Sequence, residues 1–374
     1  MQSSADIWLQ DLAENGEPVG APRRLTERKK FINGLDWTTD GREIVFSSGG
    51  LWRVPLEGGQ PPSVQVGGEQ GRSPSIATGS NRLVYGPRPY DTDIWNVPGP
   101  LAAKEGRAQP ARIVSSTRED ASVDFSPDGK RIVFVSERTG NQELWTSGAN
   151  GSDPNRVTSL NGPFAGSPRW SPNGQFIAFD GAEAGSTHDI YVVRSDGGPV
   201  QRLTTSDAHD IRPAWSRDGQ WIYFCSFRTG QGSVWKLPAA GGEPIQVTDD
   251  GGFEFYESAD GSLYYHGSVN GSGDIWRLPA SGGPAEHVLA GIESTKWTAL
   301  DGGICFVKSA EHGPIGLWLY DFSTRQVSRF GEVQGAAIVY GSPGMSVSPD
   351  GKQIVLSLLD SQPESDVMML DGFR

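Results

Sequence analysis

A turn of the form Ser-Pro-Asp-Gly, set between two apolar runs, recurs along this 374-residue chain and limits what it can fold into. The clearest copy lies in Ala121–Trp145, ASVDFSPDGKRIVFVSERTGNQELW. Pro127 presets φ for the second position of a type I turn. Asp128 can hydrogen-bond nearby backbone, and Gly129 takes the left-handed conformation that closes the turn. The pattern predicts a hairpin over Phe125–Phe134 and a third strand at Glu143-Leu144-Trp145.

Eight hairpins of this kind can be read, opening at Trp37, Ile76, Phe125, Trp170, Trp215, Tyr256, Trp297 and Val347. The second, Ile76–Tyr85, is the weakest, because it lacks Pro-Asp. Each is followed by a third strand: Leu51-Trp52, Ile94-Trp95, Leu144-Trp145, Ile190-Tyr191, Val234-Trp235, Ile275-Trp276, Leu317-Trp318 and Val367-Met368. A fourth strand follows most of these, often after Gly-Gly, as in Gln201-Arg202-Leu203-Thr204 and Gln246-Val247-Thr248. Glycine adopts positive φ without steric cost, so Gly-Gly between strands marks a tight turn.

Four short strands in roughly 40–50 residues is the period of a propeller blade. One such sheet cannot bury both faces, whereas a ring of them can. The expected fold class is therefore all-β: an eight-bladed propeller of four-stranded antiparallel blades, forming a single domain over residues 1–374. The last repeat, 345–370, supplies three strands. The N-terminal Arg23-Arg24-Leu25-Thr26 is an unclaimed fourth strand, and pairing the two would close the ring and remove a free edge. Asp6–Leu9 is then left over, either competing with Asp366–Leu370 or adding an edge strand. No helix of ordinary length is expected.

The totals exclude several function classes. Formal charge is −13, which repels phosphate backbones and argues against direct nucleic-acid binding. No run approaches the ~20 apolar residues of a membrane span. Met1–Leu12 lacks the basic and apolar regions of a secretory signal, and it starts in the middle of a repeat, so residue 1 reads as a cut start. Cys225 and Cys305 occupy equivalent mid-strand positions in separate repeats, where small buried side chains are expected rather than a disulfide.

The unit xWSPDGxxIxF, then DIW, then GGxxxxLT resembles the WD40-like PD40 repeat of TolB-type β-propellers over essentially the whole chain. The tail Ser365–Arg374 is similar to the ends of bacterial winged-helix regulators whose C-terminal region is such a propeller. The resemblance implies a binding platform within a larger bacterial protein, with an extracytoplasmic position favoured over a cytoplasmic one.

Chemistry is harder to find. There is no G-x-S-x-G nucleophile elbow, and the histidines His188, His209, His266, His287 and His312 show no H-x-x-x-H spacing. No cofactor or metal is expected. The turn aspartates Asp40, Asp128, Asp218, Asp260, Asp301 and Asp350 recur with the turns and read as structural. Loops that break the repeat are the better site candidates, since loops on a rigid scaffold commonly bind. They supply Glu119, Asp120, His209, Asp210, Phe253, Glu254 and Lys296. The two Arg-Thr-Gly turns add Arg138 and Arg228, whose arginines can also simply pair with neighbouring acids. The expectation is a monomeric, non-catalytic interaction or ligand-sensing module that takes a protein segment or small ligand at its axial face. The alternative is an enzyme, a lyase or hydrolase, with its site in the central channel.

Overall fold

The computed structural model describes residues 6–26, 32, 34–48, 50–57, 71–80, 82–86, 92–102, 110–116, 118–160, 164–183, 186–249, 251–267, 272–293, 295–308, 313–334, 336–338, 344–360 and 368–373. Among these there is no helix, and all eight expected hairpins form. Contacts group the chain into two compact units, residues 91–361 and residues 1–90 with 362–374.

Residues 91–361 build six antiparallel sheets. Blade 1 orders Asp120–Phe125, Arg131–Ser136, Glu143–Gly148 and Asn155–Arg156. Blade 2 orders Phe164–Trp170, Phe176–Ala182, Asp189–Arg194 and Gln201–Arg202. Blade 3 orders Asp210–Trp215, Trp221–Ser226, Ser233–Pro238 and Ile245–Gln246. Blade 4 orders Phe253–Glu257, Leu263–His266, Ser272–Leu278 and Glu286–Glu293. Blade 5 orders Trp297–Leu300, Gly303–Lys308, Ile315–Asp321 and Val327–Val333. Blade 6 sets Ala336–Ile338 and Met345–Val347 against Gln353–Asp360, followed by Thr92–Pro98 and Ala111–Val114.

The core shows that this unit is a closed ring. Each apolar cluster joins two successive blades: Val133 and Leu144 with Ile177 and Phe179; Ala178 and Ile190 with Phe224 and Leu237; Tyr223 and Cys225 with Phe255 and Tyr265. Blade 4 meets blade 5 through Ile275, Trp297 and Phe306, and blade 5 meets blade 6 through Leu317, Met345 and Leu356. The sixth cluster, with Ile94 and Val355 against Phe125 and Phe134, returns from blade 6 to blade 1. An open row of six sheets would have one interface fewer. Phe134, Phe179, Phe224 and Phe306 hold the same place on the second strands of blades 1, 2, 3 and 5, each fully buried, and Tyr265 holds it in blade 4.

The smaller unit holds two of the eight hairpins. Leu35–Trp37, Glu43–Ser47 and Leu51–Pro55 form one sheet. Arg72–Ile76, Arg82–Gly86 and Met368–Asp371 form a second, and Trp8–Leu12 with Pro18–Arg24 a third. Ile7, Leu25, Ile44, Phe46 and Val54 bury one junction among them, and Val45, Leu51, Leu83 and Tyr85 the other.

The blade architecture is thus as expected, but the pairing at the chain ends is not. Arg23 and Arg24 pair with Leu9 and Trp8 rather than with the last hairpin. Thr26 Oγ accepts the Ile7 amide at 3.0 Å, and Arg24 pairs with Asp6, so this fourth strand is locked to the nearest third strand in sequence. The last hairpin is completed by Thr92–Pro98, with Trp95 opposite Leu356. Met368–Asp371, expected in that place, lies beside Arg82–Gly86 instead, with Met368 opposite Tyr85. Two third strands have exchanged partners. Burial gives the reason: Ile94 and Val97 are fully enclosed in blade 6, whereas Met368 and Met369 stay exposed. The more apolar strand takes the deeper position.

Candidate functional site

Most of the repeated polar residues hold the blades together. In each Ser-x-Asp-Gly turn the serine hydroxyl bonds the aspartate, as at Ser126–Asp128 (2.7 Å), Ser216–Asp218 (2.6 Å) and Ser348–Asp350 (2.6 Å). The aspartate also accepts the amide two residues on, at 3.1 Å from Lys130 to Asp128. These bonds hold Asp128, Asp218 and Asp350 below the usual carboxylate range. The terminal threonine of the repeat locks fourth strand to third: Thr158, Thr204 and Thr248 accept the amides of Leu144, Ile190 and Val234 at 2.9–3.0 Å.

Four of the candidate residues belong to a second brace. Arg138 reaches Asp120 at 3.0 Å and Ser136 at 2.8 Å, and its guanidinium lies 5.0 Å from the Trp145 ring centre. Arg228 repeats this with Asp210 at 2.7 Å, Ser226 at 2.9 Å and Trp235 at 4.7 Å. Both aspartates are fully buried, and burial raises Asp210 above its ordinary value against the pull of Ser226 and Arg228. Glu119 stands beside this brace, its carbonyl accepting the Glu137 amide at 3.0 Å.

Charge converges at the first strands. Those of blades 1 to 4 each carry a bulge near a residue with positive φ: Ser122 (55°), Ser167 (48°), Arg212 (59°) and Glu254 (56°). Backbone of this kind costs about 1–3 kcal/mol per residue and is retained where structure or function demands it. Arg169 on blade 2 reaches the Tyr256 hydroxyl on blade 4 at 3.4 Å, passing blade 3, which only the centre of a ring allows. Glu254 lies 3.1 Å from Arg212 and 3.9 Å from Arg169. Asp124 accepts the Trp170 amide at 3.1 Å and the Ser346 hydroxyl at 3.0 Å, joining blades 1, 2 and 6. Burial raises Asp124 even against the charge of Arg169, while Tyr256, Asp124 and Glu254 outweigh burial to keep Arg169 protonated.

A histidine pair stands beside this cluster. His188 Nδ1 lies 3.3 Å from Asp180, whose other oxygen accepts the Arg212 amide at 3.3 Å. Burial would raise Asp180, but the His188 bond and the charges of His188 and Arg212 hold it below its ordinary value. His188 donates its backbone amide to His209 Nδ1 at 3.1 Å, and the two rings are 5.1 Å apart. Burial and His188 together lower His209 below the usual 6.5. His188 is partly open to solvent, so the pair bridges the buried cluster and water.

Of the residues expected to bind, Glu254 lies in the axial cluster and His209 beside it. Phe253 is in the core beneath Arg212, whose guanidinium is 4.8 Å from its ring. Lys296 is buried and paired with Glu293. Asp124, Arg169, Asp180, Arg212 and Tyr256 are not among the candidates the sequence offers, and His188 stands there only among five histidines without metal-binding spacing. For Asp124, Arg169, Arg212 and Glu254 the available signal was a charged residue in the first strand, two or four places before the hairpin serine; Asp180, on a second strand, and His188 gave none. Among the described residues, no three His, Cys, Asp or Glu side chains stand where they could hold a metal ion.

Residues 158–262 match the sequence family PD40, described as the TolB beta propeller domain. An uncharacterised Agrobacterium fabrum protein is 32% identical over 128 residues, which is 33% of this chain and 42% of that protein. A Tricorn protease homologue from Saccharolobus solfataricus is 27% identical over 239 residues, 61% of this chain and 21% of that protein. The uncharacterised peptidase YuxL of Bacillus subtilis is 29% identical over 111 residues, 26% of this chain and 16% of that protein. The chain therefore spans less than half the length of each. The expectation of a non-catalytic interaction or sensing module, not an enzyme, is overturned by these relatives, because its longer match is to a protease homologue and another is a peptidase. Over residues 158–262 the chain is therefore similar to the TolB beta propeller domain, and its all-β four-stranded sheets are those of a multi-blade propeller.

Proposed function

We propose that this chain works as an enzyme of the hydrolase class acting on peptides, with its site at the axis of the six-blade ring. The observation that carries this reading is the Asp180–His188 pair, 3.3 Å apart and partly open to solvent, at the edge of a buried cluster holding Arg169, Arg212 and Glu254. A carboxylate that orients an imidazole is the arrangement general bases use. His188 takes the proton of a water that attacks the amide carbonyl, Asp180 fixes the ring and stabilises the imidazolium, and His188 then returns that proton to the leaving amine as the C–N bond breaks. Arg212 and Arg169, positioned by Glu254 and Asp124, offer fixed positive charge to the oxyanion that develops at the attacked carbonyl. The peptidase and protease relatives support peptides as the substrate class.

The test is hydrolysis of a panel of fluorogenic aminoacyl and peptidyl amides by the purified protein. Turnover is expected with at least one, and His188→Gln should lower kcat about 100-fold or more with unchanged thermal stability. Turnover that persists unaltered in His188→Gln, or no turnover across the panel, contradicts the reading.

A further inference from the structure

The groove between blades 2 and 3 forms a half-open pocket of about 540 Å³. Phe176, Val192, Trp215 and Ala239 supply apolar wall, and Gln201 and Asp218 supply polar groups. Trp215 is held by a bond from its indole nitrogen to the Arg169 carbonyl at 3.1 Å.

The repeat gives this cavity a twin. One groove back, between blades 1 and 2, Trp170 stands just before its turn serine, as Trp215 does. Arg131 stands two residues after its turn glycine, the place that Phe176 has in the next hairpin. In that groove the guanidinium of Arg131 lies 4.6 Å from the centre of the Trp170 ring. The chain itself thus shows what this type of groove accepts: a planar cation over the tryptophan. Where Phe176 replaces Arg131, the cavity is left instead. The charge differs in the same sense. The turn position that is Asn173 in blade 2 is Asp218 in blade 3, and Ser216 and the Gln220 amide keep that carboxylate ionised. The chain's net charge of −13 further favours a cationic ligand.

We propose that the groove between blades 2 and 3 binds the guanidinium group of an arginine side chain on a peptide, stacked over Trp215 and charge-paired with Asp218. The guanidinium suits such a site because it is planar, always charged and able to stack. The site is separate from the axial cluster and does not depend on any catalytic role for it, so a binding readout tests it alone.

The experiment is calorimetric titration of the whole protein with N-acetyl-arginine amide, beside the neutral isostere N-acetyl-citrulline amide. The arginine probe is expected to bind in the millimolar range and the citrulline probe about fivefold more weakly or less. Phe176→Arg reproduces the filled twin groove, so it keeps the fold and should abolish binding. Asp218→Asn reproduces the turn at Asn173 and should weaken binding about threefold to tenfold. The proposal is overturned if the arginine probe does not bind up to about 20 mM. It is equally overturned if citrulline binds as well, or if Phe176→Arg leaves binding unchanged.

Discussion

His209 ties solution pH to a specific bond, because burial and His188 lower it below its ordinary value. Its Nδ1 accepts the His188 amide, so a proton there removes the bond and sets a positive charge beside the His188 ring. Asp210 and Asp189 are the acids that partly offset this. Because the folded value lies below 6.5, the unfolded chain takes up the proton first. The stability this group contributes is whole above pH 6.5 and is lost as pH falls through 6.5 toward the folded value. His209→Asn keeps an acceptor near Nδ1 but cannot titrate. Its melting temperature should fall less than that of the wild type between about pH 7 and pH 5. Parallel curves would show that His209 does not titrate as described. At the same scale, the sequence shows why turn residues were readable and axial ones were not. Asp128 and Asp218 repeat with their turns, and repetition betrays a structural job. Arg169, Arg212 and Glu254 each occur once, on strands whose neighbours set an apolar background. Their meaning lies in a convergence from separate blades that no local window contains.

Among the elements, the third and fourth strands are tied by one recurring bond. Thr158 accepts the Leu144 amide and bonds Glu143, and both are buried. Thr158→Val keeps the shape and orphans that amide, which should cost about 1–3 kcal/mol. Chemical denaturation should show a lower midpoint at an unchanged m-value. No change in midpoint would mean the threonine is not the lock. Hairpins were legible because the turn chemistry is local: serine or threonine, aspartate or asparagine, and glycine specify most of them within five residues. Choice of third strand was not, because DIW and DVM carry the same period and differ only in how much apolar surface they bury. Ile94 and Val97 sit between fully buried neighbours in blade 6, whereas Met368 and Met369 stay exposed beside Arg82–Gly86. The assignment is settled by non-local packing, which adjacency in sequence cannot report.

For the whole chain, the exchange of these strands decides what closes. It gives residues 91–361 a ring in which every blade has two neighbours, and six apolar clusters follow from six blades. It also explains how first strands from six blades can share one axis, with Arg169 reaching Tyr256 across it. The repeat count read from the sequence is right at eight hairpins, and their division into six and two is set by pairing between positions more than 250 residues apart. The most direct measurement is a cross-link at that pairing. Pro98 and Gln353 are exposed and directly opposed, within reach of a disulfide once both are cysteine. Cys225 and Cys305 are buried, with thiols pushed up to about 12, and do not compete. Under mild oxidation the Pro98→Cys, Gln353→Cys protein should form an intramolecular disulfide, read by peptide mapping. A protein with Arg82→Cys and Pro98→Cys should not. A bond in the second and none in the first would contradict the strand exchange and the ring built on it.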